Sequence, residues 1–292
     1  MEDEGRTGDC YRQPVKISFQ PEGRHTRHQC AQTSAPSTMS ARCLSRALPT
    51  PHAGCISSTS RRRTVACRPT RAAAASPGDV EMLEVMGKLY EHAYEGVDRD
   101  AALEIAEQSH KNQARVPGIG YFYGELSWSG AWDVVGLANP KEGDVFIDMG
   151  SGVGKMVLAA AMTRGFKECR GVEILPELHE KATMARAKLR DAVGDEAFAM
   201  LPPTTLELGD MLAADVSDAD IVYCFATCFS PEVTGALAAK LEAEMKSGAR
   251  LILVSKQIES DAFVPLGEHG GYVSVEQSHS KWNLDCYIYT RQ

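Results

Sequence analysis

Asp148-Met149-Gly150-Ser151-Gly152-Val153-Gly154 follows the short apolar run Val145-Phe146-Ile147 and precedes the helix-forming stretch Lys155 to Thr163. A strand, a glycine-rich turn and a helix in that order open a doubly wound α/β sheet. The turn then lies at the carboxyl edge, where such sheets bind ligands. Three glycines let a ligand approach the backbone closely. A dinucleotide fingerprint would place its third glycine three residues after the second, but Lys155 stands there. A phosphate-binding P-loop fails as well: Gly150 and Gly154 enclose three residues instead of four, and Met156 replaces the magnesium-binding Ser or Thr. Gly-x-Gly-x-Gly with Asp148 two residues ahead suits a ligand that carries an ammonium group and no pyrophosphate.

Downstream, short apolar runs alternate with helical patterns, as a mostly parallel sheet requires. The predicted strands are Val145 to Ile147, Gly171 to Ile174, Thr205 to Leu208, Ile221 to Phe225 and Leu251 to Val254. A helix from Pro176 turns Leu178, Ala182, Ala185 and Leu189 inward and stops at Gly194. Another opens with Ser230 as N-cap and Pro231 as first residue, and ends at Gly248. Tyr272 to Val275 and Cys286 to Tyr289 are joined by a loop too short for a crossover helix, so they are expected to pair antiparallel. Upstream, Met82 to Ala93 and Asp98 to Ser109 carry apolar residues at helical spacing and are expected to form a helical lid region on the ligand side. The expected fold is therefore a Rossmann-like doubly wound α/β sheet, mostly parallel with an antiparallel last pair, preceded by a small helical region.

Three segments divide the 292 residues: a leader (1–77), a helical region (78–130) and the sheet domain (131–292). From Gly23 to Gly78 there is no Asp, Glu or Lys, but there are nine Arg among many Ser, Thr, Ala and Pro. So few large apolar residues cannot offset the entropy of ordering, and disorder is expected. Through Ser76 there are 12 Arg and Lys against 5 acids (+7); beyond it, 19 against 34 (−15). An Arg-rich, acid-poor leader has the composition of an organelle transit peptide, with a cleavage site near Cys67 and a chloroplast destination. It also has that of a basic tail in which Arg61-Arg62-Arg63 serves as a nuclear signal or nucleic-acid arm. The nucleus and the mitochondrion are the alternative locations.

No apolar run reaches the roughly 20 residues of a membrane span, so no membrane partner is expected. Five of the nine cysteines lie in the leader without CxxC spacing, and no metal site is expected. Cys169, Cys224, Cys228 and Cys286 read as free thiols. The sequence does not reveal an oligomeric state.

Position alone suggests two further ligand contacts. Glu173 ends the second strand, where an acid accepts hydrogen bonds from ribose hydroxyls. Asp210 follows the third strand and is placed for an adenine amino group, or equally to cap the next turn.

Phe146-Ile147-Asp148-Met149-Gly150-Ser151-Gly152-Val153-Gly154, with Tyr123-Gly124-Glu125-Leu126 upstream, resembles the disruptor-of-telomeric-silencing family, the non-SET histone-lysine methyltransferases. Gly171-Val172-Glu173, Gly209-Asp210-Met211-Leu212, Phe229-Ser230-Pro231-Glu232-Val233, Met245-Lys246-Ser247-Gly248 and Ser255-Lys256 extend the likeness over roughly Tyr121 to Arg291. The resemblance implies a class I methyltransferase using S-adenosylmethionine, with a protein lysine as acceptor. It implies cofactor contacts from Tyr123, Gly124, Glu125, Leu126, Phe146, Asp148, Gly150, Ser151, Gly152, Gly154, Lys155, Glu173, Asp210 and Met211. Tyr123, Gly124 and Glu125 would close over the methionine end, with Trp282 near the substrate opening. Tyr123, Phe225, Phe229 and Trp282 would form the catalytic channel, apolar enough to strip water from an amine.

One departure stands out. Where that family has paired asparagines at the end of strand four, this chain has Phe225-Ala226. A sheet domain at −15 also repels DNA, so a nucleosome is a partner only if the basic leader is retained. Two other functions stay open: a methyltransferase for a small plastid metabolite, and a catalytically silent domain that binds the cofactor or a partner protein.

Overall fold

The computed structural model describes residues 77–112, 123–163, 165–267, 272–276 and 283–292. Residues 1–76 of the leader and Trp282 lie outside the described residues, and Pro77 already belongs to the first helix.

β1 (Val145–Met149) is an interior strand of an eight-stranded sheet. To one side run β2 (Glu168–Glu173) and β3 (Thr204–Leu208); to the other run β4 (Ile221–Phe225) and β5 (Arg250–Val254), all parallel. β8 (Asn283–Arg291) then pairs antiparallel with β5. Its far edge is shared by β6 (Phe263–Pro265) at one end and β7 (Tyr272–Glu276) at the other. The sheet is seven positions wide, and the antiparallel ending is the one expected.

Period-two alternation sorts side chains onto two faces. Phe146, Ile221, Tyr223, Ile252 and Val254 join the core with α1 (Pro77–Ala93), α2 (Arg99–Asn112), α3 (Trp128–Leu137), α4 (Lys155–Thr163) and α5 (Pro176–Val193). Ile147, Met149, Val222, Cys224, Leu251 and Leu253 join the opposite core with Leu237 and Leu241 of α7 (Pro231–Glu244). Strands buried on both faces read as continuous apolar runs, and β1 and β5 are buried at every position.

The two upstream helices form and dock on α4 and α5, over the first face of the sheet. Three elements lie beyond the expected set. α3 is capped by Ser127, whose hydroxyl accepts the Gly130 N–H at 3.1 Å, and is followed by Asn139 in the left-handed conformation. The short α6 (Asp195–Phe198) follows α5, and β6 adds to the edge. β2 begins at Glu168, earlier than expected, because Glu168 and Cys169 pair with Val145 and Phe146. At the amino edge, the Arg250 guanidinium meets the Asp144 carboxylate and donates to the Ala138 carbonyl at 3.1 Å, tying α3 to the sheet. Among the described residues no helix is long and apolar enough to cross a membrane.

Candidate active site

The loop after β1 turns sharply because Gly150, Gly152 and Gly154 adopt φ of 86°, 55° and 77°, a region L side chains avoid. The Gly150 and Ser151 N–H groups both donate to the Val172 carbonyl at 2.9 Å, which fastens the turn to β2. Gly152 has a second reason to be glycine. A Cβ there would lie 2.9 Å from the Tyr123 ring, so the aromatic lies directly on the loop.

Beside this loop opens a cavity of about 300 Å³. It is lined by Tyr123, Gly124, Glu125, Leu126, Asp148, Gly150, Ser151, Gly152, Lys155, Glu173, Asp210, Met211, Phe225 and Phe229. Thus fourteen of the seventeen site residues expected from sequence come together on one cavity.

Two others are placed elsewhere. Phe146 is fully buried beneath the loop, its ring 5.6 Å from that of Phe166 and 6.5 Å from that of Tyr223. It belongs to the core, because a residue two before Asp148 on a strand shares its face but lies a full pleat from the edge. Gly154 turns from the cavity towards α5. A Cβ there would meet Ala182 Cβ at 3.0 Å, so this glycine permits helix packing instead of ligand approach. Trp282, the third, lies outside the described residues.

Three buried carboxylates converge on the cavity. Glu173 is 6% exposed and accepts the Gly152 N–H at 2.7 Å and the Leu175 N–H at 2.9 Å, one on each oxygen. Burial pushes its pKa up, and those backbone donors pull it part of the way back. Asp148 is 2% exposed and its Oδ1 has no partner. Burial, then the nearby Glu173 charge, hold its carboxyl well above the ordinary range. Glu125 gives Oε1 to Lys155 Nζ at 2.6 Å, while its Oε2 is buried without a partner. Lys155 Nζ also lies 5.2 Å from the centre of the Tyr94 ring.

A buried carboxylate oxygen with nothing to accept is costly unless a donor arrives. Two such oxygens on one cavity, among four acids and one lysine, fit a ligand whose ammonium group meets Asp148 and Glu125. The ligand's own carboxylate then has Lys155 to meet. The residues present therefore fit the methionine end of S-adenosylmethionine. Asp210 is exposed and accepts the Leu212 N–H at 2.8 Å, so it holds the following turn while lining the cavity.

The far wall comes from the loop after β4. Phe229 is 7% exposed, and its ring lies 3.8 Å from where a Gly150 Cβ would stand. The Phe225 ring fills the space over Gly124, whose Cβ would fall 2.3 Å from Cε1. Thr227 and Cys228 between them also line the cavity, as do Leu175 and Ala106. Sequence reading had a cue for Thr227, flanked by two expected wall residues. For Ala106 it had none, because only the docking of α2 brings that residue to the cavity.

Residues 148–260 match the family model of the ANTKMT methyltransferase domain. A curated relative, the protein-lysine N-methyltransferase of Saccharolobus islandicus (strain REY15A), is 27% identical over 117 residues. That alignment covers 40% of this chain and 65% of the relative. Among solved structures, an RNA methyltransferase from Salinibacter ruber in complex with S-adenosyl-L-homocysteine is 26% identical, with 55% of this chain and 89% of that chain covered and a TM-score of 0.38. TrmN from Thermus thermophilus is 15% identical, with 57% and 49% covered and a TM-score of 0.42.

Proposed function

We propose, for a chain whose residues 148–260 match a methyltransferase domain, that it is an S-adenosylmethionine-dependent protein-lysine N-methyltransferase. The observation that carries this reading is the pair of buried, unpartnered carboxylate oxygens, Asp148 Oδ1 and Glu125 Oε2, on two residues that line the cavity beside the glycine loop. The name of the Saccharolobus islandicus relative supports lysine as the acceptor.

When bound, S-adenosylmethionine supplies a methyl group on a positively charged sulfur. Asp148 and Glu125 hold its ammonium, and Lys155 its carboxylate. The second lone pairs of the Glu173 oxygens remain for ribose hydroxyls, while Asp210 and Met211 flank the adenine. Tyr123, lying on Gly152, closes over the methionine end. Phe225 and Phe229 wall the acceptor side, where an apolar surface desolvates a lysine ammonium, lowers its pKa and favours the neutral nucleophile. Positioning and the exclusion of water carry the catalysis, with no covalent intermediate.

The substrate is a protein of the organelle to which the leader directs the chain, in the first instance the chloroplast. A histone substrate of the non-SET type would require the basic leader to outweigh a sheet domain at −15. The test incubates the full chain and labelled cofactor with organelle extract or with nucleosomes. Label in an extract protein is expected. Label confined to small molecules would replace the lysine reading with metabolite methylation, and label on nucleosomes would restore the histone reading. Asp148→Ala is the control, and undiminished cofactor binding by that variant would overturn the site. A reporter fused to residues 1 to 77 tests the destination, with a nuclear signal excluding the plastid.

A further inference from the structure

The segment that replaces the paired asparagines has no amide to offer. Phe225 packs over Gly124, and Ala226 is fully buried with its N–H on the Val254 carbonyl at 3.1 Å. Of the side chains lining the cavity between Phe225 and Phe229, two are the aromatic walls and one is the Cys228 thiol. Burial pushes that thiol up to about 11, which keeps it a neutral, weak hydrogen-bonding group. The Thr227 hydroxyl is the strong polar group of this wall.

Its orientation is set from behind. Thr227 Oγ1 donates to Ser255 Oγ at 2.7 Å. Ser255 follows β5 with φ of 70°, the left-handed region that favours glycine, and its own N–H donates to the Asp285 carbonyl at 2.7 Å. Serine in this backbone is strained, and what it gains is a hydroxyl held against Thr227. With its proton committed to Ser255, Thr227 turns lone pairs, not a hydrogen, towards the cavity.

We infer that Thr227, oriented by Ser255, is the residue that positions the acceptor nitrogen. This rests on the lysine methyltransferase reading. The amine first gives its extra proton to water. One of its N–H groups then donates to Thr227 Oγ1, and this fixes the direction of the nitrogen lone pair. The nitrogen forms a bond to the methyl carbon as the carbon–sulfur bond breaks, with that electron pair staying on sulfur. The methylated ammonium formed releases a proton to solvent. Thr227 touches the reacting nitrogen and is a catalytic residue on this inference; Ser255 acts through it and is a positioning residue.

The experiment compares wild type, Thr227→Val, Thr227→Ser and Ser255→Ala in the full chain, with poly-L-lysine as acceptor. It reads kcat and KM for the acceptor, cofactor binding by calorimetry and the melting temperature without cofactor. Thr227→Val keeps shape and removes the hydroxyl, so kcat/KM for the acceptor should fall by about tenfold, the worth of one hydrogen bond. Cofactor binding and melting should stay at wild-type values. Thr227→Ser should recover most of the loss. Ser255→Ala should lie between, because the freed proton turns into the cavity part of the time. Wild-type kinetics in Thr227→Val would overturn the inference, as would a loss matched by weaker cofactor binding or one that Thr227→Ser shares. If wild type labels neither poly-L-lysine nor extract protein, the lysine reading itself fails before any variant is compared.

Discussion

Asp148 bears opposite demands from folding and from binding. Without ligand, its carboxyl is buried beside Glu173 with one oxygen unpartnered, and its pKa stands well above 3.8. Between the unfolded and the folded pKa the native state therefore holds a proton that the unfolded chain has lost. Stability from this group is full below about pH 3.8 and is lost as pH rises through the folded value. An ammonium ligand needs the ionised form, so its binding strengthens over the same rise. Asp148→Asn should then melt higher than wild type at neutral pH without cofactor, and the two melting temperatures should converge as pH falls below about 3.8, where wild type becomes protonated in both states. The same variant should weaken cofactor binding by about 2 kcal/mol, some thirtyfold, through loss of a charge-assisted hydrogen bond. Differential scanning fluorimetry across pH and calorimetry at pH 8 check the two halves. A variant that melts lower at neutral pH would mean that Asp148 is satisfied in the free protein.

At the scale of elements, the contact of α4 with β2 depends on Gly171. A Cβ there would stand 2.7 Å from Val157 Cγ2 and 2.9 Å from Ser151 Cβ, so Gly171→Ala should force the glycine loop and α4 off the strand. Overpacking of this kind costs about 1–3 kcal/mol, and urea unfolding should show it as a lower midpoint with an unchanged slope. Ser230 caps α7 by accepting the Val233 N–H at 3.3 Å, and Ser230→Ala should cost about 1 kcal/mol in the same assay. The start of α7 and the loop were legible because local chemistry specifies them: a Ser-Pro start, and three glycines after an apolar run; the helix ends at Glu244, four residues before the expected Gly248. α3 was not, because eight of its ten residues are apolar or glycine and six are buried, which leaves no amphipathic period to read. β6 is three residues long and exists only because β8 offers an open edge. The candidate site divides in the same way. The glycine loop, Glu173 and the Tyr123 segment announce themselves by motif, whereas Ala106 and the backing of Thr227 by Ser255 depend on elements distant in sequence.

For the whole molecule, charge decides which partners the chain can approach. Residues after Ser76 carry 19 Arg and Lys against 34 acids, and those before carry 12 against 5. Affinity for nucleic acid rests on basic side chains releasing counterions from phosphates, and a surface at −15 opposes that at every separation within a Debye length. Any DNA binding by the full chain must therefore come from the leader. It should weaken steeply with salt, with a slope set by the few arginines that engage phosphate together. Residues 77–292 alone should show none, even at 50 mM salt. Fluorescence anisotropy with a labelled duplex, run on both forms from 50 to 200 mM salt, measures this. Binding by 77–292 with a slope like that of the full chain would place a basic face on the sheet domain, and with it nucleosomes would return as substrates. Absence of binding by the shorter form would accord with the proposed protein-lysine acceptor, because the charge that repels DNA attracts basic protein surfaces.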